Sequence, residues 1–263
     1  MQTIDFRHQF YIHWGKIILV MTVLCLSSTV LMAQARYNEI NRSGQDDRLF
    51  SYGFFLATHT NYYRLKYSDL FAQQQNTDLD NVHSIIPVYT SGFSMGFLMT
   101  MRLQDQVNLL FTPKIGFYEF RTEVNFLDPN TINPGNSDPI TFNRVETVLN
   151  EATMVEFPLL LKYKAQRFNN SRMFFTGGGS FMFRTKAQEE VDNIDLIATA
   201  GRDFTLDLGM GFDLYFRYFK FSPEIRFSHG LLNIYRPEGT SLEFRDAISE
   251  LRRKSITLYL NFQ

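Results

Sequence analysis

The stretch Phe204-Thr205-Leu206-Asp207-Leu208-Gly209-Met210-Gly211-Phe212-Asp213-Leu214-Tyr215-Phe216 decides the fold. Phe204, Leu206, Leu208, Met210, Phe212, Leu214 and Phe216 alternate with Thr205, Asp207, Gly209, Gly211 and Asp213. Successive side chains of a β-strand point to opposite faces, so one face of this strand is apolar and the other small or ionic. That division suits a wall with hydrocarbon outside and a polar lumen inside, the signature of a transmembrane β-barrel.

The same parity recurs on both sides. Towards the N-terminus, Phe93, Met95, Phe97, Met99, Met101 and Leu103 oppose Gly92, Ser94, Gly96, Thr100 and Arg102, and Leu109, Phe111, Ile115 and Phe117 oppose Asn108, Thr112, Lys114 and Gly116. Val155, Phe157, Leu159, Leu161 and Tyr163 oppose Glu156, Lys162 and Lys164, with Pro158 and Leu160 also on the inner side. Towards the C-terminus, Phe219, Phe221, Ile225 and Phe227 oppose Lys220, Ser222, Glu224 and Arg226, and Ile256, Leu258, Leu260 and Phe262 oppose Thr257, Tyr259 and Asn261. Two less regular runs, about Leu49 to Tyr67 and Arg172 to Lys186, bring the count to eight. Gly177-Gly178-Gly179 marks a bend or a close approach to the wall. A phosphate-cradling loop would need a following helix, and Phe181, Phe183 and Arg184 continue a strand.

Connections between the runs alternate. Short ones fall at Gln104 to Gln106, Gln166 to Ser171 and Arg217 to Tyr218; long polar ones at Asp69 to Ser84, Asn125 to Glu151, Gln188 to Arg202 and His229 to Arg252. Outer-membrane barrels have tight periplasmic turns and longer surface loops, so the sequence predicts an all-β, eight-stranded, antiparallel up-and-down transmembrane barrel over residues 49–263. Aromatic residues crowd the short-turn end at Tyr163, Phe168, Phe174, Phe175, Phe216, Tyr218 and Phe219, as interfacial girdles do. A soluble lipocalin-like barrel is excluded by orientation, because its apolar residues would line the inside.

The N-terminus reads as a secretory signal peptide over residues 1–35. Arg7 and Lys16 precede an apolar run from Ile17 to Met32 that ends in Ala33-Gln34-Ala35, with cleavage expected after Ala35. The run is shorter than the roughly 20 residues a membrane helix needs; a retained signal anchor is the competing reading. Residues 36–48 form a polar periplasmic lead. Cys25 is the only cysteine and lies inside the apolar run, so the mature chain has neither disulfides nor thiolate metal sites. Leu24 before it argues against lipidation. The mature chain would carry 24 basic and 26 acidic residues, a charge of −2, which gives no reason to expect nucleic acid. The expected location is the cell outer membrane, with its lipids as partners.

An eight-stranded barrel is just wide enough for side chains to fill, so this one should not conduct. The inward charges expected are Arg102, Lys114, Glu156, Lys162, Lys164, Asp207, Asp213, Lys220, Glu224 and Arg226. Buried charges persist when paired and hydrogen-bonded, and the sequence therefore predicts a structural salt-bridge network in the lumen. A proton or ligand site is the rival reading. Of the histidines, His59, His83 and His229 survive processing. Ser84 beside His83 and Ser228 beside His229 suggest a rim hydrolase, but sequence neighbours on a strand face opposite ways. No His and carboxylate spacing matches a metal site, and no cofactor, metal or catalysis is expected.

The blocks Val155-Glu156-Phe157-Pro158-Leu159-Leu160-Leu161-Lys162-Tyr163, Gly177 to Ser180, Gly209-Met210-Gly211-Phe212-Asp213 and Tyr218-Phe219-Lys220-Phe221-Ser222-Pro223-Glu224-Ile225 resemble the PorT family, also called SprT, of Bacteroidota. The resemblance spans about Leu49 to Gln263 and leaves the loop after the third run and the last loop unmatched. It implies an outer-membrane barrel required for type IX secretion, with gliding motility in some members, other secretion components as partners and no catalytic residues. Glu156, Pro158, Lys162, Asp213, Lys220, Pro223 and Glu224 would be family-pattern residues without an assigned role. A stand-alone adhesion or ligand-binding barrel acting through its surface loops is the alternative function.

Overall fold

A computed structural model describes residues 45–72, 82–127, 142–185, 197–241 and 245–263. The expected signal peptide and residues 36–44 of the lead lie outside the described residues. The strands are β1 (Phe50–Tyr67), β2 (Val82–Val88), β3 (Thr90–Arg102), β4 (Val107–Phe111), β5 (Lys114–Leu127), β6 (Phe142–Lys164), β7 (Ser171–Arg184), β8 (Arg202–Tyr215), β9 (Lys220–Gly230) and β10 (Ile248–Phe262). All pair antiparallel in one sheet, and β1 hydrogen-bonds β10 on one side and β3 on the other, which closes the sheet on itself.

Ten strands replace the expected eight because two runs are interrupted. Tyr89 separates β2 from β3, and Thr112-Pro113 separates β4 from β5. Proline has no N–H to donate to a ladder, but its carbonyl accepts from Phe97 N at 3.1 Å, while Thr112 N donates to Pro158 O at 3.2 Å. β3 and β6 therefore each pair with β4 and then with β5 across the break. Each interrupted pair fills one place in the wall, and the up-and-down order is kept.

Two surface loops are shorter than their composition suggests. β5 and β6 pair through the stretch expected as loop, from Glu119↔Glu151 to Asn125↔Val145 and on to Leu127↔Phe142. Val145, Thr147 and Val148 favour the pleated surface, and their ladder outweighs the turn residues further on, whose positions fall at 128–141. β10 likewise begins at Ile248, inside the stretch expected as loop to Arg252. The short turns sit where the sequence put them: Gln104 N donates to Val107 O at 2.9 Å, Phe216 N to Phe219 O at 3.0 Å, and Asn169 takes φ 51° in the β6–β7 turn, a left-handed conformation that asparagine tolerates.

Outward positions form a continuous apolar girdle. Phe54 and Leu56 of β1, Phe97 of β3, Leu159 of β6, Leu208 of β8 and Leu258 of β10 are all exposed, Phe97 to 73%. Apolar area on that scale is a contact surface, and around a closed barrel it is the lipid-facing band. Beyond it, away from the short turns, outward positions become Arg64, Glu119, Arg121, Glu151 and Arg202. That end is the cell-surface end if the short turns are periplasmic. Inside it, Tyr63, Ile85, Val124, Met154, Ile197 and Ile234 pack into an apolar cluster, two of them, Ile197 and Ile234, contributed by the connections rather than the strands.

Candidate functional site

The polar lumen begins at the mouth beside the short turns. Inward parity brings Lys162 and Lys164 from β6, Asp213 from β8 and Lys220 from β9 into the barrel, all nearly or fully buried. Lys162 Nζ donates to Asp213 Oδ1 at 2.7 Å, and Ser222 Oγ donates to the same oxygen at 2.5 Å. Lys162 also sits 3.6 Å from the centroid of the Phe174 ring. Phe174 is 1% exposed and points inward, which corrects its place in the expected interfacial girdle: its even position on β7 puts it under the lysine, while Phe175 faces out.

Asp46, from the lead, enters this mouth. Its carboxylate accepts from Arg172 Nη1 at 3.0 Å and from Tyr215 OH at 2.5 Å. Burial of the carboxylate opposes its ionisation, but the Tyr215 hydrogen bond and the charges of Lys220, Lys164 and Arg172 outweigh this and hold its pKa below the ordinary 3.8. Neither Asp46 nor Arg172 was among the lumen residues expected from sequence. Asp46 precedes the first strand, where strand parity says nothing, and Arg172 opens an irregular one.

The middle layer is built on two ion pairs. Lys114 Nζ lies 2.9 Å from Glu156 Oε2 and donates to Tyr259 OH at 2.9 Å, while Tyr118 OH donates to Glu156 Oε1. Arg226 pairs with Glu224 Oε1 at 2.9 Å, both 1% exposed, and its guanidinium lies 4.1 Å from the centroid of the Tyr259 ring. Thr176 Oγ1 donates to Glu224 at 2.7 Å, and Asp207 accepts from Ser180 and Thr205. Gly209 faces this layer because a Cβ there would stand 2.5 Å from Thr176 Oγ1 and 2.8 Å from Glu224 Oε1. Tyr259 thus joins the two pairs, touching Lys114 through its hydroxyl and Arg226 through its ring.

Arg102 is the exception among the ten expected inward charges. Its side chain is 28% exposed and bonds Asp105 and Asp47 at the rim. It is the last residue of β3, where the chain already leaves the wall for the turn. Towards the surface end, Arg253 replaces it as a lumen cation: Nη1 lies 3.3 Å from both Met154 Sδ and Met182 Sδ, and Nη2 donates to Ala200 O at 3.2 Å. A cavity of about 10 Å³ bordered by Asn61, Tyr118, Phe120, Met182 and Arg253 has room for about one water molecule.

The histidines are scattered. His59 is buried, stacks on Tyr118 at 4.3 Å and meets Asn61 Oδ1 at 3.0 Å. His83 is exposed on β2, and the adjacent Ser84 accepts from Asn125 Nδ2 at 2.9 Å. His229 faces Lys254, Arg252 and Arg64, cations rather than the carboxylate that would orient a catalytic base. Among the described residues, no group of three or more His, Cys, Asp or Glu could hold a metal ion.

The family model described as outer membrane protein beta-barrel domain matches residues 32–236. No curated protein matches the chain. Solved structures similar to it include the outer membrane protein OprG from Pseudomonas aeruginosa, 10% identical over 80% of this chain and 94% of that one with a TM-score of 0.38. Neisserial surface protein A is 9% identical over 79% and 95%, with a TM-score of 0.35. Ail, the attachment invasion locus protein of Yersinia pestis, is 6% identical over 80% and 96%, with a TM-score of 0.30. Likeness this distant carries no argument about function.

Proposed function

This chain belongs to the family of outer membrane protein beta-barrel domains, and from that premise we propose that it is a non-conducting accessory of type IX protein secretion, acting through its rim, surface loops or lipid-facing wall. The observation that carries the reading is the filled lumen. The buried pairs Lys162–Asp213, Lys114–Glu156 and Arg226–Glu224 occupy the interior, and Tyr63, Ile85, Met154 and Ile234 pack at its surface end. A barrel stoppered in this way is a poor conduit for folded cargo and a good rigid scaffold. The secretion assignment rests on the PorT-like blocks, several of whose matched residues, Glu156, Lys162, Asp213 and Glu224, are members of the ion-paired layers.

Deletion of the gene tests the assignment. Export of a reporter fused to a type IX C-terminal signal domain should stop and should return with the wild-type gene; unchanged export would defeat the proposal. A second reading, a stand-alone adhesion or ligand-binding barrel, is favoured by the length of β6. Its 23 residues are about twice the 9–11 that a membrane strand needs, so the β5–β6 hairpin stands clear of the bilayer. Pull-down from intact outer membrane separates the two, one recovering secretion components and the other an external ligand.

A further inference from the structure

The outward face where β1, β10 and β9 leave the apolar girdle is strongly cationic. In the β1–β10 ladder Arg64 stands directly opposite Arg252 and Tyr62 opposite Lys254, and in the β10–β9 ladder Lys254 stands opposite His229. Parity turns all of these outward, in line with Ile256, Leu258 and Phe227 of the lipid-facing band. Like charges directly opposite one another on a sheet are destabilising, yet Arg64, Lys66 and Lys254 form no ion pair with any described residue. One carboxylate shares the face: Glu250, register partner of Lys66, bonds Arg252 Nε. Four cations against one acid leave the patch short of negative charge. The excess is local, because on the other side of the barrel the outward partners are Glu119 and Glu151, with Arg121 bonded to Glu119 at 3.0 Å.

We propose that this face binds the phosphate groups of an outer-leaflet lipid headgroup. Height on the wall selects the ligand. Phosphates of a bilayer lie at the edge of its hydrocarbon, and beyond Ile256 and Thr60, the last register pair of the girdle, Lys254 lies one outward position on, Arg64 and Arg252 two, and Lys66 three. Guanidinium groups offer parallel N–H donors that match phosphate oxygens. Tyr62 and Tyr89, 4.7 Å apart, sit beside the patch at the level where amphipathic rings favour headgroups, and Lys254 Nζ lies 5.9 Å from the Tyr62 ring. Acyl chains of the same molecule would descend over Ile256, Phe227 and Leu258. The lipid therefore satisfies in one piece the two surfaces that the strands present together, the cationic rim and the greasy wall beneath it.

Native mass spectrometry of the full-length protein in neutral detergent tests this, with lipid A carrying two phosphates as probe and its dephosphorylated form as the comparison. The phosphorylated lipid should be retained at least about tenfold better. The variant Arg64→Gln/Arg252→Gln/Lys254→Gln should weaken retention on the order of a hundredfold, roughly fivefold for each basic residue near the headgroups, and the single change Lys254→Gln about fivefold. Glu119→Gln/Arg121→Gln on the opposite wall should retain the lipid as the wild type does, and heat-dependent gel mobility reports that each variant is a folded barrel. Equal retention of the dephosphorylated lipid, or a triple variant that binds as the wild type does, would overturn the proposal. So would complete displacement of the lipid by an equal concentration of inorganic phosphate, which would assign the patch to the free anion.

Discussion

Lys114 and Glu156 are register partners on neighbouring strands, and their side chains close to 2.9 Å on the lumen face of the wall with each 4% exposed. The pair is held in place by the ladder itself, and Tyr118 and Tyr259 complete its hydrogen bonds. Removing one partner leaves the other charged and buried, whereas replacing both by apolar side chains leaves no buried charge unpaired. Glu156→Ala should therefore cost about 3–5 kcal/mol, and Lys114→Met/Glu156→Leu should recover most of it. Guanidinium unfolding of the folded barrel in phospholipid vesicles measures both; equal losses in the single and double variants would argue against an ion pair that matters for stability.

Leu208 lies on the outward face of β8 at 57% exposure, flanked by Leu206 and Met210 on the same face. Arginine at a mid-membrane lipid-facing position costs about 2–4 kcal/mol. Leu208→Arg should show that loss in vesicles. In a barrel with its apolar residues turned inward, the same substitution would be far more disruptive and would abolish folding altogether.

The lead should respond to acid through Asp46. Its carboxyl pKa is lowered in the docked state relative to the ordinary 3.8, so docking gains stability from ionisation that is fully present above that ordinary value and is lost as pH falls through the lowered one. A dye attached at Arg48→Cys in a Cys25→Ser background should keep high anisotropy at neutral pH and lose it as the solution is acidified below the ordinary carboxylate range. Asp46→Asn should start low and stay flat across the same range. A wild-type anisotropy indifferent to pH would mean that Asp46 does not anchor the lead.

Parity made most of the wall legible, because a lipid-facing strand needs an apolar residue at every second position and little else. Phe204 to Phe216 and Lys220 to Phe227 could be assigned to inside and outside from the sequence alone. The interruption at Tyr89 switches parity, with Ile85 and Thr90 both buried, but it adjoins the stretch expected as loop, where no alternation was read. The one at Thr112-Pro113 was hidden because parity survives across it. The extended β5–β6 hairpin was hidden for the opposite reason: beyond the bilayer, Glu119, Arg121 and Glu151 face water on the outside, and the apolar-out signal ends although the ladder continues. Arg253 and Asp46 were missed because neither lies in a segment whose alternation was read, one falling between the end of the expected loop at Arg252 and the first alternating residue Ile256, the other ahead of the first strand. Ion pairs depend on which strands come together in space, so Lys162 on β6 with Asp213 on β8, 51 residues apart, follows from the pairing of both strands with β7 and not from any local pattern.

Gly209 should resist enlargement even though its strand tolerates large residues on the other face. A Cβ at this position would meet Thr176 Oγ1 at 2.5 Å and Glu224 Oε1 at 2.8 Å, so Gly209→Val should cost about 1–3 kcal/mol as an overpacked core does. Thr176→Ala in the same chain removes one of the two obstructing oxygens and should return part of the loss. Additive costs in the double variant, read from unfolding midpoints, would show that the crowding lies elsewhere.

Conductance is the measurement that bears most directly on the scaffold reading. The ion pair Lys162–Asp213 at the mouth, the Lys114–Glu156 and Arg226–Glu224 pairs above it, and Arg253 between two methionine sulfurs occupy successive levels of the lumen. An ion passing through would have to separate buried, hydrogen-bonded charges, which costs several kcal/mol for each, and then cross the apolar cluster around Ile234 and Met154. Planar bilayers containing the purified protein should therefore remain silent at neutral pH. The Lys162→Ala/Asp213→Ala variant should remain silent too, because it opens one level and leaves the others closed. Discrete current steps from the wild-type barrel would establish a continuous water path and turn the argument toward a channel, with the ion-paired layers as its gate instead of its filling.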